Sequence, residues 1–302
     1  MQFSVWPGPG RPWPSILATA RHAERTGWDG VWFADHFMPN TPQARGATIE
    51  CWAVMAALAA GVPRVRLGTL VCGNTYRHPA VLANQAAAVD VISGGRLILG
   101  LGAGWQENEH RKYGVDFFTT AERLDRLDEA CQVIKALTTQ DRAAFKGRYY
   151  ELDDAPLEPR PIQSPLPLMV GGGGEKVTLR ITAQYADEWN VWGTPETLRH
   201  KIDVLEAHCE RLGRDPSTIR KTANAMVFLR DDQAEIDQVR ATLAPGTPAV
   251  VGTADEISAV MGEYAAAGVD EFIMPDFNLG ADDEKLAAYD RFLADVAAPH
   301  RL

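Results

Sequence analysis

Residues 65–101 read VRLGTLVCGNTYRHPAVLANQAAAVDVISGGRLILGL, and the order of apolar and polar residues in this segment decides the fold. The apolar run 65–71 predicts a strand, residues 79–92 predict a helix that starts on a proline, and residues 96–101 predict the next strand. Short apolar strands without polar alternation are typical of a parallel sheet that is covered on both faces. The segment therefore predicts a strand–helix–strand unit with parallel strands.

The same alternation continues on both sides of this segment. Further strands are predicted at 2–6, 31–33, 168–170, 188–191, 222–229 and 271–274, and further helices at 14–26, 52–60, 121–137, 175–185, 195–212, 254–267 and 283–296. About eight strand–helix units in a chain of 302 residues favour an α/β fold of the (β/α)8 TIM barrel type over an open sheet. Since no linker separates two halves, residues 1–302 are predicted to form one barrel domain with insertions at about 40–50, 106–120 and 145–167.

The composition argues against several classes of protein. A formal net charge of −10, from 30 basic and 40 acidic residues, argues against sequence-blind nucleic-acid binding, which relies on basic patches. No apolar run approaches the roughly 20 residues that cross a bilayer, and residues 1–6 lack the basic flank of a signal peptide. A cytoplasmic protein with neither a nucleic-acid nor a membrane partner is therefore expected. The four cysteines show no metal-binding spacing and are predicted to be reduced and mostly buried.

A barrel of this type places its chemistry at the carboxyl ends of its strands, so the residues that follow each strand are candidate site residues. Asp35 and His36 follow the second strand. Histidine is the side chain most easily tuned to exchange a proton near neutral pH, and a neighbouring carboxylate can orient or bias it. After the third strand, Gly73 permits close approach to a ligand, and the helix that starts at Pro79 offers free N–H groups to an anion.

Two glycine-rich stretches follow the fourth and fifth strands. Residues 100–105 read GLGAGW, a spacing tighter than the dinucleotide fingerprint, and predict a backbone that approaches a flat ring. Residues 171–174 are four glycines that lead into a predicted helix, whose free amides and partial positive charge predict a phosphate site. Lys176 and Arg180 could add charge to this site. Glu107 and Glu109 follow the first stretch. Either could act as a carboxylate acid or be solvated, and the prediction favours solvation.

Taken together, these stretches resemble the luciferase-like monooxygenase superfamily, and within it the branch that uses the deazaflavin coenzyme F420. The matching segments are 27–36 (GWDGVWFADH), 67–69 (LGT) with 76–80 (YRHPA), 95–105 (GRLILGLGAGW), 171–176 (GGGGEK) and 186–190 (ADEWN). They occur in order across nearly the whole chain. This order makes the resemblance specific, whereas no single segment would carry it.

The resemblance implies a (β/α)8 barrel, often dimeric, with the ring system of the cofactor at the carboxyl face, and a homodimer is therefore expected. A bulge that often contains a non-proline cis peptide backs the ring and falls here within residues 70–73. The glycine-rich loop after the fifth strand holds the phosphate, and His36 resembles the active-site histidine of the family, with Asp35 beside it. The predicted catalytic residues are His36 and Asp35. The predicted cofactor-binding residues are Asp35, His36, Leu70, Val71, Cys72, Gly73, Gly102, Ala103, Gly104, Trp105, Gly171, Gly172, Gly173, Gly174 and Lys176.

The activity implied by the resemblance is hydride transfer between ring carbon five of F420 and a small organic substrate, with His36 moving the accompanying proton or stabilising developing charge. One residue departs from the pattern of the family. The sugar-phosphate dehydrogenase of the family has a catalytic glutamate where this chain has Trp105, which argues against that activity. A neutral aromatic lining suits a less polar substrate, such as an alcohol, aldehyde, ketone or enone.

Three alternatives remain open from the sequence. An FMN-dependent monooxygenase of the same fold would react with oxygen, and the Asp35–His36 pair with the loop 171–176 favours the deazaflavin over FMN. A non-catalytic flavin-binding barrel could use the same tryptophan-lined pocket. A metal-dependent barrel hydrolase could use Asp35 and His36 but needs further ligands at the strand ends, and the sequence offers no metal pattern that supplies them.

Overall fold

The predicted strands close into a barrel in the computed structural model, which describes residues 1–301. The strands are β1 (Gln2–Trp6), β2 (Gly30–Phe33), β3 (Arg66–Thr69), β4 (Cys72–Gly73), β5 (Leu97–Gly102), β6 (Ala143–Lys146), β7 (Glu151–Ala155), β8 (Leu168–Gly171), β9 (Glu188–Trp192), β10 (Arg220–Asn224), β11 (Met226–Leu229), β12 (Ala249–Gly252) and β13 (Glu271–Pro275). Eight of them run parallel in the order β1, β2, β3, β5, β8, β9, β10 and β13, and β13 pairs with β1. The short strand β4 follows β3 and pairs with β5. The predicted (β/α)8 barrel is confirmed.

Helices follow most of the barrel strands and pack their apolar side chains against the sheet. They are α1 (Trp13–Thr26), α2 (Cys51–Gly61), α3 (Pro79–Ser93), α4 (Glu107–Tyr113), α5 (Thr120–Thr139), α6 (Thr178–Tyr185), α7 (Pro195–Leu212), α8 (Gln233–Thr242), α9 (Ala254–Ala266) and α10 (Asp282–Arg291). Helix α7 has the predicted bounds because both of its ends are marked in the sequence. The hydroxyl of Thr194 accepts a hydrogen bond from the N–H of Thr197, and Gly213 ends the helix in the left-handed region at φ 65°.

The prediction of one strand over 222–229 is wrong. Strand β10 belongs to the barrel, whereas β11 pairs with β12 in a separate two-stranded parallel sheet. The apolar pattern runs through both strands and through the buried Ala225 between them. Nothing in such a pattern shows that the backbone changes partners. Helix α8 and strand β12 are also absent from the predictions.

The segments predicted as insertions contain short elements. Helix α4 lies within 106–120, and β6 and β7 form an antiparallel hairpin that begins two residues before the predicted insertion 145–167. Residues 40–49 contain no helix or strand, and α2 begins directly after the insertion predicted at 40–50. The description of the chain as one domain with three insertions stays a prediction.

A cluster of buried charges fills the amino-terminal end of the barrel. Glu271, the first residue of β13, accepts hydrogen bonds from Ser4 Oγ at 2.5 Å, Trp32 Nε1 at 2.9 Å and Arg66 at 2.6 Å. Glu188, the first residue of β9, shares Arg66 through Oε1, but its buried Oε2 has no partner among the described residues. Burial raises the pKa of Glu188 to about 7 against the attraction of Arg66, and the neighbouring Glu271 adds to the rise.

We expect the replacement Glu188→Gln to make the free energy of unfolding less dependent on pH. A carboxyl whose pKa is higher in the folded than in the unfolded chain stabilises the fold while protonated, and this contribution is lost as the pH rises towards about 7. Unfolding in urea at about pH 5 and about pH 8 should show the variant gaining roughly 2–3 kcal/mol on the wild type between the two values. The exposed Glu196 supplies the control Glu196→Gln, and equal pH dependence of Glu188→Gln and wild type would contradict the assignment.

Candidate active site

A cavity of about 850 Å³ opens at the carboxyl ends of the barrel strands, within the size range of small-molecule and cofactor sites. It brings together segments that follow β2, β3, β5 and β8, which are far apart in the sequence. The predicted site residues in its wall are Asp35, His36, Leu70, Val71, Cys72, Gly73, Gly102, Ala103, Gly104, Trp105, Gly171, Gly172 and Gly173. The segments after β2 and β3 and the glycine-rich loop after β8 therefore line one cavity.

Two predicted residues lie outside the cavity wall. Gly174 and Lys176 are exposed beyond the edge of the loop, and their part in cofactor binding stays a prediction. Other residues line the cavity but were not predicted, among them Trp6 at the end of β1 and Phe277 shortly after β13. Both follow the rule that strand ends form the site, and inspecting the first and last strands in the same way would have found them.

The junction after β3 forms the back wall of the cavity. The peptide bond between Leu70 and Val71 is cis, as the resemblance implied for this segment. A Cβ atom at Gly102 would lie 2.9 Å from Cγ2 of Val71, and one at Gly171 would lie 2.8 Å from the same atom. Packing against Val71 therefore requires glycine at both positions, whether or not a ring lies beside them.

His36 lies at the cavity wall with one ring nitrogen engaged. Its Nδ1 is 2.8 Å from Oε1 of Glu109, a side chain with no solvent exposure. Nε2 makes no hydrogen bond with any residue in 1–301. The ring of Trp105 meets the imidazole edge-on, with 5.5 Å between the ring centroids.

The prediction that Glu109 is solvated is wrong. Its carboxylate also accepts hydrogen bonds from the N–H of Phe37 at 2.8 Å and from the hydroxyl of Tyr76. Burial alone would raise the pKa of Glu109, but the hydrogen bonds from His36, Tyr76 and Phe37 together lower it below its usual value. Residues 106–120 were predicted as an insertion without a helix, whereas helix α4 lies there and buries Glu109.

Asp35 does not bond to the histidine beside it. Arg77 binds its carboxylate in a bidentate manner, at 2.6 and 3.1 Å, and also contacts Glu50 at 2.8 Å. Burial raises the pKa of Asp35, and the ion pair with Arg77 opposes that rise. The side chain of Asp35 is fully buried in this pair, so the predicted catalytic role of Asp35 has no support from the geometry.

The loop after β8 presents free backbone donors. The N–H groups of residues 173–178 donate to no acceptor within residues 1–301, whereas the N–H of Gly172 bonds to the carbonyl of Asn190. The predicted start of helix α6 at residue 175 is wrong, and the helix begins at Thr178. The carbonyl of Gly174 accepts a hydrogen bond from the N–H of Leu179 and closes a turn before the helix starts. Free amides beside a helix start are the donor set that binds phosphate, and Thr178 itself lines the cavity.

Residues 1–301 contain no metal-binding cluster and no disulfide. No group of three or more histidine, cysteine or acidic side chains there is placed to hold a metal ion. All four cysteines are buried and free of disulfides, as predicted. No helix in this part of the chain has the length and apolar character needed to cross a membrane.

The fold is a (β/α)8 barrel with a cavity at its carboxyl face. A family model described as luciferase-like monooxygenase matches residues 1–248, and the chain belongs to the luciferase-like monooxygenase family. It is 40% identical over 174 residues to an F420-dependent glucose-6-phosphate dehydrogenase of Amycolatopsis mediterranei, covering 57% of this chain and 50% of that protein. It is 30% identical over 220 residues to an F420-dependent hydroxymycolic acid dehydrogenase of Mycobacterium tuberculosis, covering 72% and 60%.

An FMNH2-dependent dimethylsulfone monooxygenase of Pseudomonas putida is also 30% identical, over 196 residues that cover 65% of this chain and 52% of that protein. The chain thus spans between about half and three fifths of the length of these relatives. Among solved structures, an F420-dependent secondary alcohol dehydrogenase in complex with an F420–acetone adduct superposes with a TM-score of 0.85 at 22% identity over the whole of both chains. At this identity the superposition supports the fold alone.

We expect Arg77→Met to destabilise the fold by about 3–5 kcal/mol, because it leaves the buried Asp35 without its partner charge. Urea unfolding measures the change. The double variant Asp35→Asn with Arg77→Met should recover part of the loss, since it removes the orphaned charge. Glu50→Gln is the control, because Glu50 is 42% exposed and contributes little to the pair. A small effect of Arg77→Met would show that the ion pair does not hold Asp35.

Proposed function

We propose that the protein is an oxidoreductase that uses coenzyme F420 and transfers a hydride to or from a small, neutral organic substrate. The observation that carries the proposal is one cavity in which His36 and the bare backbone of residues 171–173 both form the wall. The F420-dependent dehydrogenases among the relatives support the choice of cofactor and of reaction. Trp105 stands where the sugar-phosphate dehydrogenase of the family has a catalytic glutamate, so the substrate class is inferred from the residues that line the cavity.

The residues present fit an F420-type cofactor at both ends. The free amides of residues 173–178, with the start of α6, would hold its phosphate, and the wall formed by residues 70–73 would back its ring. When bound, F420 supplies the acceptor or donor of the hydride. The protein supplies the position of the substrate, a wall that excludes water, and a group that exchanges a proton.

His36 is the proton-exchanging group of the proposed mechanism. It is the one histidine in the cavity wall, and its Nε2 is free of protein partners among the described residues. In alcohol oxidation, the hydroxyl proton of the substrate would pass to Nε2. In carbonyl reduction, Nε2 would return a proton to the oxygen.

The cavity wall indicates a neutral substrate. No lysine or arginine lines it among residues 1–301. Since the free amides of residues 173–178 would hold the phosphate of the cofactor, a sugar phosphate would find no second donor set and no cationic side chain in this wall. Three aromatic rings instead meet in the wall: Trp6 lies 5.5 Å from Trp192 and 5.0 Å from Phe277, between ring centroids. Together with Trp105 beside His36, they provide an apolar surface for the carbon skeleton of an alcohol, aldehyde, ketone or enone.

The second candidate function is that of an FMN-dependent monooxygenase of the same family. The dimethylsulfone monooxygenase relative favours it. That the protein forms a homodimer stays a prediction, and light scattering of the purified protein tests it. Its cytoplasmic location also stays a prediction.

Titration of the purified protein with each cofactor tests the choice, and we expect saturable binding of F420 and weaker binding of reduced FMN. His36→Ala should keep F420 affinity but reduce turnover by about 10²- to 10⁴-fold, because only proton exchange is lost. His300→Ala, whose ring contacts Ser258, is the control histidine. Preferential binding of FMN would favour the monooxygenase, and unchanged turnover of His36→Ala would remove the histidine from the mechanism.

The substrate class has its own test. With F420 present, we expect kcat/KM for a neutral secondary alcohol to exceed that for glucose 6-phosphate by at least about 100-fold, because the cavity wall offers no cation to the phosphate. Trp192→Ala should raise KM for the alcohol more than it lowers kcat, since the ring contributes binding surface and no chemistry. A preference for the sugar phosphate would contradict the argument from the cavity wall.

A further inference from the structure

We infer that Glu109 is a positioning residue that fixes the tautomer of His36, so that Nδ1 carries a proton and Nε2 faces the cavity as the exchanging nitrogen. The catalytic part of this inference rests on the proposed function. The structural part concerns this chain alone and holds for the protein without cofactor.

The carboxylate of Glu109 is surrounded by hydrogen-bond donors. Three groups converge on its carboxylate: Nδ1 of His36 and the N–H of Phe37, each at 2.8 Å, and the hydroxyl of Tyr76. Despite complete burial, these bonds hold the pKa of Glu109 below its usual value, so the group is ionised and can only accept. Burial and the adjacent carboxylate raise the pKa of Tyr76, which therefore stays protonated and donates.

The tautomer of His36 follows from that charge. A carboxylate without a proton requires Nδ1 to be the donor, and in a neutral imidazole the other nitrogen then carries a lone pair. Nε2 is thus left able to accept a proton from a substrate hydroxyl, and the resulting imidazolium would be stabilised by the buried negative charge. With the opposite tautomer, Nε2 would already carry a proton and the neutral ring could not act as a base towards the cavity.

Glu109 acts within a wider contact between α4 and the segment after β2. The side chain of Gln106 donates to the carbonyl of Met38 at 2.9 Å, and that of Asn108 donates to the carbonyl of Pro39 at 3.3 Å. These contacts fix the backbone of the segment, but only Glu109 reaches the ring of His36. Substitutions at these positions can therefore distinguish a contact that only holds the backbone from the contact that sets the tautomer of His36.

The variant Glu109→Gln keeps the size of the side chain but removes its charge, and its amide can donate to Nδ1. Glu107→Gln removes a carboxylate from the exposed face of the same helix, and Asn108→Ala removes a contact to the segment without touching the ring. Both serve as controls.

Long-range ¹H–¹⁵N NMR spectra of the cofactor-free protein, at a pH where the ring is neutral, report which nitrogen carries the proton. The signals of His36 are assigned by their loss in His36→Ala. We expect the Nδ1–H tautomer in the wild type and in both controls, and a shift towards the Nε2–H tautomer in Glu109→Gln. An Nε2–H tautomer in the wild type would overturn the inference even if Glu109→Gln failed to fold.

Kinetics of the F420-loaded enzyme test the consequence. We expect Glu109→Gln to lower kcat about 10- to 100-fold, with much smaller changes in KM and in F420 affinity, and the controls to leave kcat unchanged. A changed tautomer with unchanged kcat, or an unchanged tautomer in Glu109→Gln, would overturn the positioning role. If the wild type neither binds F420 nor turns over, the proposed function fails, whereas the NMR result still decides whether Glu109 sets the tautomer.

Discussion

The packing of Val71 is the contact on which the cavity depends. Its side chain lies against the ends of two strands, since Cβ atoms at Gly102 and Gly171 would lie 2.9 and 2.8 Å from Cγ2 of Val71. The chain after β3 can therefore lie over the ends of β5 and β8 only because those strands end in glycine. Residues 70–73 thereby become the wall of an open cavity at the barrel mouth, and the glycine-rich stretches have a packing function in addition to any function in binding.

The two ends of the barrel differ in their charge, and this difference separates stability from chemistry. At the amino-terminal end, the buried carboxylates of Glu188 and Glu271 both form ion pairs with Arg66. At the carboxyl end, the cavity wall contains no lysine or arginine among residues 1–301, and the nearby Arg77 already forms an ion pair with Asp35. Anionic groups of a ligand can then be held only by backbone amides and hydroxyls, which confines them to the loop after β8 and leaves the aromatic part of the wall for uncharged groups.

Sequence reasoning predicted what depends on local pattern. The barrel, the bounds of α7 and the placement of His36 with residues 171–173 at one end follow from periodicity, caps and the rule that strand ends meet. It could not predict contacts that depend on long-range orientation. Glu109 was read as solvated because a short helix after β5 is not marked by a long apolar repeat, although Gln106, Glu109, His110 and Tyr113 recur at helical spacing. The partner change at Ala225 leaves no trace in the pattern at all.

Asp35 and His36 show why adjacency in sequence is a poor guide to a catalytic pair. Successive residues of an extended chain point in opposite directions, and here their partners come from different strands: Arg77 follows β4 and binds Asp35, whereas Glu109 follows β5 and binds His36. The carboxylate that contacts His36 is therefore Glu109, which follows a different strand, and not the adjacent Asp35. Two separate anchors hold the segment after β2: the ion pair of Asp35 fixes the backbone beside His36, and Glu109 fixes the ring at Nδ1. Within residues 1–301, Nε2 is then the one ring nitrogen of His36 without a hydrogen-bond partner.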